Sequence, residues 1–311
     1  MTVAANILPI FALILAGFGF ARLRGLGEEA VGILNLYVVW LALPALLFDF
    51  LAEANWATLN QPGFVLVFAG AMVATFVLSL LLSPRLAGEQ RSLARRSLDA
   101  LTASYSNAAY MGIPIVPALL GKGALGAAVI ASILTVCALF AVSVVLVEID
   151  LHGRGDVMGA VGRVGLSVLR NPLVASPIAG ALWAASGWAV PSVASAFLKM
   201  LAASATPVAL VTIGIFLAQP RGRGEPAELG MAVLLKVAVQ PALTLLALQL
   251  VPLPPPWPAA ALLLAALPTG TGPFMVAQLY RQEVTLAARA TLLSTILSLA
   301  SVSALAVWLA G

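Results

Sequence analysis

The chain has 311 residues, of which 62% are hydrophobic and only 9% are charged. A soluble domain carries about 25% charged residues, so this composition excludes a water-soluble globular protein and predicts one whose solvent is lipid. The formal net charge of +4 does not indicate a nucleic-acid partner, because the basic residues lie between apolar stretches, where they orient a membrane protein.

Ten stretches are apolar and long enough to cross the hydrocarbon core, which takes about 20 helical residues. The first is predicted to be a retained span and not a cleaved signal peptide, because Arg22 and Arg24 follow its apolar core instead of preceding it. The connections are short, which argues against a soluble domain. Predicted spans 1 to 10 are residues 3–22, 31–52, 62–83, 98–120, 124–148, 164–186, 192–218, 228–250, 257–279 and 285–309.

The basic residues predict the orientation of these spans. They cluster in the loops after the odd-numbered spans, whereas the opposite loops hold only Lys122. Cytoplasmic loops carry the excess of Lys and Arg, so the odd loops are predicted to be cytoplasmic and both termini to be periplasmic or extracellular at the cell inner membrane. The clustered residues are Arg22, Arg24, Arg85, Arg91, Arg95, Arg96, Arg154, Arg163, Arg170, Arg221, Arg223, Arg281 and Arg289.

An internal duplication is predicted around the loop at 149–163. This cytoplasmic linker separates a five-span half at 1–148 from a second at 164–311. Because five is odd, the halves would insert with opposite orientation, as an inverted repeat typical of secondary transporters. Two matches favour it: ALPALL around Pro44 resembles ATPVAL around Pro207, and YMGIPIV in span 4 resembles PTGTGPFMV in span 9.

Spans 4 and 9 are predicted to be interrupted near the middle of the membrane. Span 9 places two prolines and two glycines within six residues, and span 4 contains the milder Gly112-Ile113-Pro114. Proline removes a backbone donor and clashes with the preceding turn. Broken backbone at that depth is tolerated only when it is buried in protein or lines a wet cavity, and such helices typically form the substrate site.

The predicted ligand is a small organic anion. Pro114 and Pro273 suit first helical positions, so two restarted helices would point positive N-termini and free N–H groups at one place. Asn107 adds amide donors, and Thr269 and Thr271 add hydroxyls. The alternative is that proline and glycine are ordinary residues of membrane helices and that Asn107 is a packing residue. The candidate substrate-binding residues are Asn107, Met111, Gly112, Ile113, Pro114, Pro268, Thr269, Gly270, Thr271, Gly272 and Pro273.

Charged residues inside spans are further candidates. Lys236 in span 8 is open to three roles: pairing with the substrate, holding an interrupted helix, or carrying a proton. The alternative is that its side chain extends to the inner interface. Asp49 and Lys199 are weaker candidates for charge balance or coupling, because both lie closer to span ends.

Catalytic, metal and cofactor sites are not predicted. The metalloprotease, nucleophile-elbow and P-loop motifs are absent from the sequence. His152 and Cys137 are the single histidine and cysteine and lie in different settings, so neither a disulfide nor a catalytic dyad is expected. The sequence therefore predicts a protein that is not an enzyme.

Five segments resemble the auxin efflux carrier family, which includes plant PIN-type carriers and bacterial malonate-type permeases. They are NLYVVWLALPALLFDF, SNAAYMGIPIV, LRNPLVASPIAG, LLKVAVQPAL and ALPTGTGPFMVAQLY, and the similarity covers nearly the whole chain. The resemblance implies an all-α integral membrane fold of ten helices in an inverted 5+5 repeat, like bile-acid symporters and sodium–proton antiporters. It also implies crossing helices 4 and 9, a scaffold of helices 1, 2, 6 and 7, a mobile transport domain of helices 3–5 and 8–10, and a homodimer.

The family's crossover motifs transfer to particular residues. Asn107, Gly112 and Pro114 match the first, and Pro268, Gly270 and Pro273 match the second. Two departures limit what the resemblance implies: the long central loop of plant carriers is replaced by about fifteen residues, and Thr269 stands where plant carriers usually have glutamine. Auxin is therefore not implied as the substrate.

The leading hypothesis is a secondary transporter or facilitator of mono- or dicarboxylates, such as malonate or auxin-like acids, that works by elevator-type alternating access. Two alternatives remain open at this stage: a sodium- or proton-coupled symporter of the bile-acid type, and a non-transporting membrane receptor or scaffold.

Overall fold

A computed structural model describes residues 3–53, 60–87, 92–152, 157–220 and 225–310. Regular secondary structure in these residues is helical, in agreement with the predicted all-α class. Four of the arginines that predict the orientation, Arg91, Arg154, Arg221 and Arg223, lie outside the described residues. The helices are α1 Val3–Arg24, α2 Glu28–Ala52, α3 Pro62–Ala87, α4 Leu93–Ser104, α5 Ala108–Leu120, α6 122–152, α7 Val157–Arg170, α8 Pro172–Ser186, α9 Ser192–Leu217, α10 Pro226–Leu250, α11 Trp257–Ala266, α12 Gly272–Leu279 and α13 Thr285–Ala310.

Six of these helices are long and apolar enough to cross a membrane, namely α2, α3, α6, α9, α10 and α13, and α5, α8 and α11 are shorter apolar helices. Large apolar side chains such as Leu66, Leu246 and Ile296 are exposed on them, while Thr102 and Ser294 are buried. A soluble protein shows the opposite distribution, so lipid is the solvent that this surface fits.

The predicted span 6 differs from the structure, because residues 164–186 do not form one helix. The chain breaks at Asn171, whose Oδ1 accepts a hydrogen bond from the Leu173 N–H at 2.9 Å. Pro172 then occupies the first turn of α8. The segment Arg170-Asn171-Pro172 therefore caps the start of α8. The predicted linker at 149–163 is also partly helical, since α6 continues to His152 and α7 begins at Val157.

Several helices contain a wider π-type turn just before a proline. A proline ring clashes with the carbonyl four residues earlier, and a π turn moves the hydrogen bond to the carbonyl five residues earlier. In three cases the five-residue turn ends two residues before the proline, so the helix continues without a sharp break. These turns are Val38–Ala42 before Pro44, Ala108–Gly112 before Pro114, and Leu235–Val239 before Pro241.

The chain divides into two compact units. The first, which we call the crossover unit, consists of Met1–Ile7, Pro62–Gly165 and Pro220–Gly311, and therefore contains α3–α6 and α10–α13. The second, which we call the four-helix unit, consists of Leu8–Gln61 and Leu166–Gln219, and contains α2, α8, α9 and most of α1. The boundary between them falls within α7.

Within the four-helix unit, glycines let helices pack at backbone distance. A Cβ on Gly214 of α9 would overlap the carbonyl of Ile14 in α1, and one on Gly17 would overlap the carbonyl of Val211. A Cβ on Gly180 of α8 would lie 2.7 Å from the Phe48 carbonyl oxygen in α2. Close packing through small residues is the main source of helix association in lipid, where apolar burial adds little.

Candidate functional site

The interruptions of spans 4 and 9 lie side by side in the crossover unit. The chain leaves the helix between α4 and α5 and again between α11 and α12, and the two breaks pair antiparallel at Ser106 and Thr269. The Asn107 N–H donates to the Pro268 carbonyl at 2.9 Å, and the Gly270 N–H donates to the Tyr105 carbonyl at 3.2 Å. The two segments that the sequence predicts to be broken are thus hydrogen-bonded to each other.

The hydroxyl groups of the paired residues cap the helices reciprocally. Ser106 donates through Oγ to the Leu264 carbonyl near the end of α11, and Thr269 donates through Oγ1 to the Thr102 carbonyl near the end of α4 at 3.0 Å. The last carbonyls of a helix have no partner within it. A residue of the first break therefore satisfies a carbonyl at the end of α11, and a residue of the second break satisfies one at the end of α4. Broken backbone inside a membrane span needs such partners.

Helix α13 supports the second break from behind. The Ser294 hydroxyl oxygen accepts the Thr269 N–H at 3.0 Å. The Thr291 hydroxyl, which donates to the Ala287 carbonyl at 2.8 Å, also lies 3.3 Å from the Gly270 carbonyl. All of these residues are buried. The Thr269 hydroxyl has one hydrogen, and that hydrogen is used on Thr102. In this conformation Thr269 therefore supports the crossover and has no hydroxyl proton left for an anion.

Lys236 also bonds to the end of α11. Its side chain is 0% exposed, and its Nζ donates to the Ala265 carbonyl at 2.7 Å. The ammonium group thus lies at the negative end of the α11 dipole. This geometry does not fit extension to the membrane interface, and it does place Lys236 where it holds an interrupted helix, one of the three roles predicted for it.

The restarted helices begin at Asn107 and Thr271. Asn and Thr at these positions normally accept a hydrogen bond from their own helix, but neither side chain does so here. Asn107 is only 5% exposed, and its Nδ2 has no hydrogen-bond partner among the described residues. Two polar side chains at the positive ends of α5 and α12 are therefore not used in capping their own helices.

Tyr105 explains why the second break needs glycines. Its ring lies against the backbone of α12, so a Cβ on Gly270 would be 2.9 Å from Tyr105 Cε1, and a Cβ on Gly272 would be 2.7 Å from the Tyr105 hydroxyl. A Cβ on Gly112 would lie 2.6 Å from Leu264 Cδ2. Sequence reasoning missed Tyr105, and its position directly before the polar Ser106-Asn107 pair is the signal that indicates its role.

The break in span 4 is displaced from the predicted place. It lies at residues 105–107, and α5 restarts at Ala108, six residues before Pro114, because a π turn absorbs this proline. Pro273 does lie in the first turn of α12, as predicted. The remaining predicted residues are placed around the two breaks: Met111 and Ile113 are buried in α5, and Pro268 is buried in the second break.

The other charged candidates lie in the four-helix unit. Lys199 forms an ion pair with Glu53, with Nζ and Oε1 3.1 Å apart, and both side chains are more than half exposed. Asp49 has one carboxylate oxygen that is buried without a partner among the described residues. The roles of Asp49 and Lys199 in charge balance or coupling stay predictions.

An ion pair ties the loop after α12 to the start of α4. Arg95 pairs with Glu283 through its guanidinium, and its Nε lies 3.1 Å from the Asp99 carboxylate. Partial burial acts to raise the pKa of Glu283, but hydrogen bonds from Thr285 and Arg95, together with the Arg95 charge, outweigh it and hold the pKa below its ordinary value. This pair therefore links the entry to one interrupted span with the exit from the other.

Comparison with known proteins identifies the class of molecule. The family model described as "Membrane transport protein" matches residues 2–158 and 156–306. A protein of Rhizobium meliloti (strain 1021), described as "Putative malonate transporter", is 32% identical over 304 residues, which cover 96% of this chain and 93% of the relative. The resemblance to auxin efflux carriers is thereby confirmed, and the chain belongs to this family of multi-pass membrane transport proteins and is not an enzyme.

Proposed function

We propose that this protein carries small organic anions, mono- or dicarboxylates such as malonate, across a bacterial inner membrane. The observation that carries the proposal is Asn107, a buried amide donor at the start of α5 that has no partner in the part of the chain that the structure describes. A buried donor left unpaired costs about 1–3 kcal/mol, which a carboxylate would recover. The description of the Rhizobium meliloti relative supports malonate as the first acid to test.

The anion would bind where the two restarted helices begin. The first N–H groups of α5 and α12 have no partner within their helices, and each helix carries about half a positive charge at that end. Asn107 Nδ2 and the Thr271 hydroxyl would donate to the carboxylate from opposite helices. Thr269, Gly270 and the remaining crossover residues would hold this geometry, and Lys236 would balance charge in the empty state.

Transport would follow an elevator-type movement of an inverted repeat of ten spans. In this proposal the crossover unit is the mobile domain and the four-helix unit is the scaffold. The composition of the units supports it, since each combines helices from both halves of the chain. The reciprocal capping by Ser106 and Thr269 supports two-fold related halves, and these residues are separated by the same number of positions as Pro44 and Pro207. The proposal includes a homodimer, which the resemblance implies, and termini on the outer side, which the distribution of basic residues predicts. It has no role for nucleic acid, metal or cofactor.

Uptake of radiolabelled malonate by proteoliposomes tests the proposal. We expect the parent to accumulate label and Asn107→Ala to lose at least tenfold in kcat/KM, because one charge-assisted hydrogen bond is worth about 1.5–3 kcal/mol. Its unfolding temperature should stay near that of the parent, since the Asn107 Nδ2 has no hydrogen bond to any described residue that the substitution would remove.

Asn171→Ala is the matched control. Asn171 caps α8 with its side chain, so its loss should cost about 1 kcal/mol of stability and leave the KM for malonate unchanged. The site assignment is wrong if Asn107→Ala transports every accepted carboxylate as well as the parent. The proposed function itself is wrong if the parent moves none.

A further inference from the structure

Gln240 is another buried polar residue of the crossover unit whose side chain has no hydrogen-bond partner among the described residues. Gln240 follows the π turn of α10 and is 0% exposed, yet neither Nε2 nor Oε1 has a hydrogen-bond partner among the described residues. Buried side-chain amides are nearly always hydrogen-bonded, because burial removes their hydrogen bonds to water and costs free energy unless new hydrogen bonds replace them. The position therefore favours a partner other than the residues of 3–53, 60–87, 92–152, 157–220 and 225–310.

Lys236 lies one helical turn before Gln240, so the two side chains share a face of α10. An ammonium group has three donor hydrogens, and the Ala265 carbonyl takes one of them. No carboxylate of the described residues pairs with Lys236, although a buried charge without a counter-charge is costly.

This polar pair is joined to the crossover through the end of α11. Lys236 binds the Ala265 carbonyl, and the Ser106 hydroxyl binds the carbonyl just before it, that of Leu264. Ser106 is followed directly by Asn107. The ammonium of Lys236 and the residue before Asn107 thus bond to adjacent carbonyls in the last turn of α11.

We infer that Gln240 and Lys236 form a second anion subsite, which takes the distal carboxylate of a dicarboxylate whose first carboxylate lies at Asn107. This inference rests on the proposed function and adds a selectivity to it. Gln240 Nε2 and a free ammonium hydrogen donate to the second carboxylate, and the Lys236 charge offsets its negative charge. A monocarboxylate leaves the Gln240 amide and the remaining ammonium hydrogens of Lys236 without this acceptor, so the protein discriminates in favour of dicarboxylates.

Competition against labelled malonate uptake tests this selectivity, with unlabelled malonate and propionate, which have equal numbers of carbon atoms. We expect the parent to bind malonate at least about tenfold more tightly than propionate, since hydrogen bonds to charged groups are the strong ones. Gln240→Leu should weaken malonate by about tenfold and leave propionate unchanged. The Gln240 side chain has no hydrogen bond to the residues that the structure describes, so this variant should fold.

Gln249→Leu is the control, because Gln249 lies on the same helix but is exposed, and it should behave as the parent. Lys236→Met should also reduce the ratio of malonate to propionate affinity, with a lower unfolding temperature because the Ala265 carbonyl loses its donor. The inference is overturned if Gln240→Leu weakens both acids equally or neither, or if Gln249→Leu has the same effect. A parent that transports both acids with equal affinity also overturns it while the proposed function stands; a parent that transports neither removes both.

Discussion

Replacing Thr269 with valine tests whether the reciprocal capping holds the crossover together. Valine has nearly the same shape as threonine but no hydroxyl, so the substitution removes the 3.0 Å hydrogen bond to the Thr102 carbonyl with little change in packing. Thr269 is 0% exposed. Water therefore has no access to the carbonyl at the end of α4 that loses its donor.

The size of the effect follows from the membrane setting. Hydrogen bonds between helices in lipid average about 0.6 kcal/mol and reach about 1.7 kcal/mol, while an orphaned buried carbonyl costs about 1–3 kcal/mol. We expect Thr269→Val to lose about 1–2 kcal/mol. At about 2 °C per kcal/mol for a chain of this size, the unfolding temperature should fall by about 2–4 °C.

The assay is thermal unfolding of the purified protein in detergent, with Thr75→Val as the matched control. Thr75 is equally buried, but its hydroxyl donates at 2.8 Å to the carbonyl of Ala71, which already belongs to the hydrogen-bond ladder of its own helix. Its loss leaves no orphaned group and should change the unfolding temperature by less than about 1 °C. Equal stability of the two variants would refute the capping argument.

Two further predictions concern packing and charge. Gly272→Ala forces a Cβ against the Tyr105 ring, so it should lower the stability by about 1–3 kcal/mol and reduce malonate uptake. Gly230→Ala, where a Cβ would meet open space, should leave the stability unchanged or raise it by about 0.4–1 kcal/mol. Similar stabilities in the two variants would contradict this prediction. The depressed pKa of Glu283 means that its ion pair with Arg95 stabilises above pH 4.5, its ordinary value, and is lost as pH falls through the lower folded value. Because Glu283 is 47% exposed, Glu283→Gln should cost only about 0.2–1 kcal/mol at pH 7 and should abolish this part of the acid dependence, which melting curves from pH 3 to 7 would measure.

Local properties of the chain were sufficient to predict much of the fold. The length of the apolar stretches predicts the helices, because a helix in lipid satisfies its backbone hydrogen bonds within one segment. The prolines and glycines from Pro268 to Pro273 predict the break in span 9, because proline and glycine disrupt the helical turn that contains them. The motifs around Asn107 and Thr271 also indicate the crossover, because the residue types alone show that these side chains are able to donate hydrogen bonds.

Only the tertiary structure decided how those residues are used. Pro114 does not break its helix because a π turn absorbs it, and the break moves to residues 105–107, where the chain finds partners in Pro268 and Gly270. The hydroxyl of Thr269 faces Thr102, the ammonium of Lys236 faces Ala265, and Gln240 faces no described partner. Hydrogen-bond partners more than a hundred residues apart depend on which helices pack together. Residue type states what a side chain is able to donate, and the packed neighbours determine whether that donor is already used.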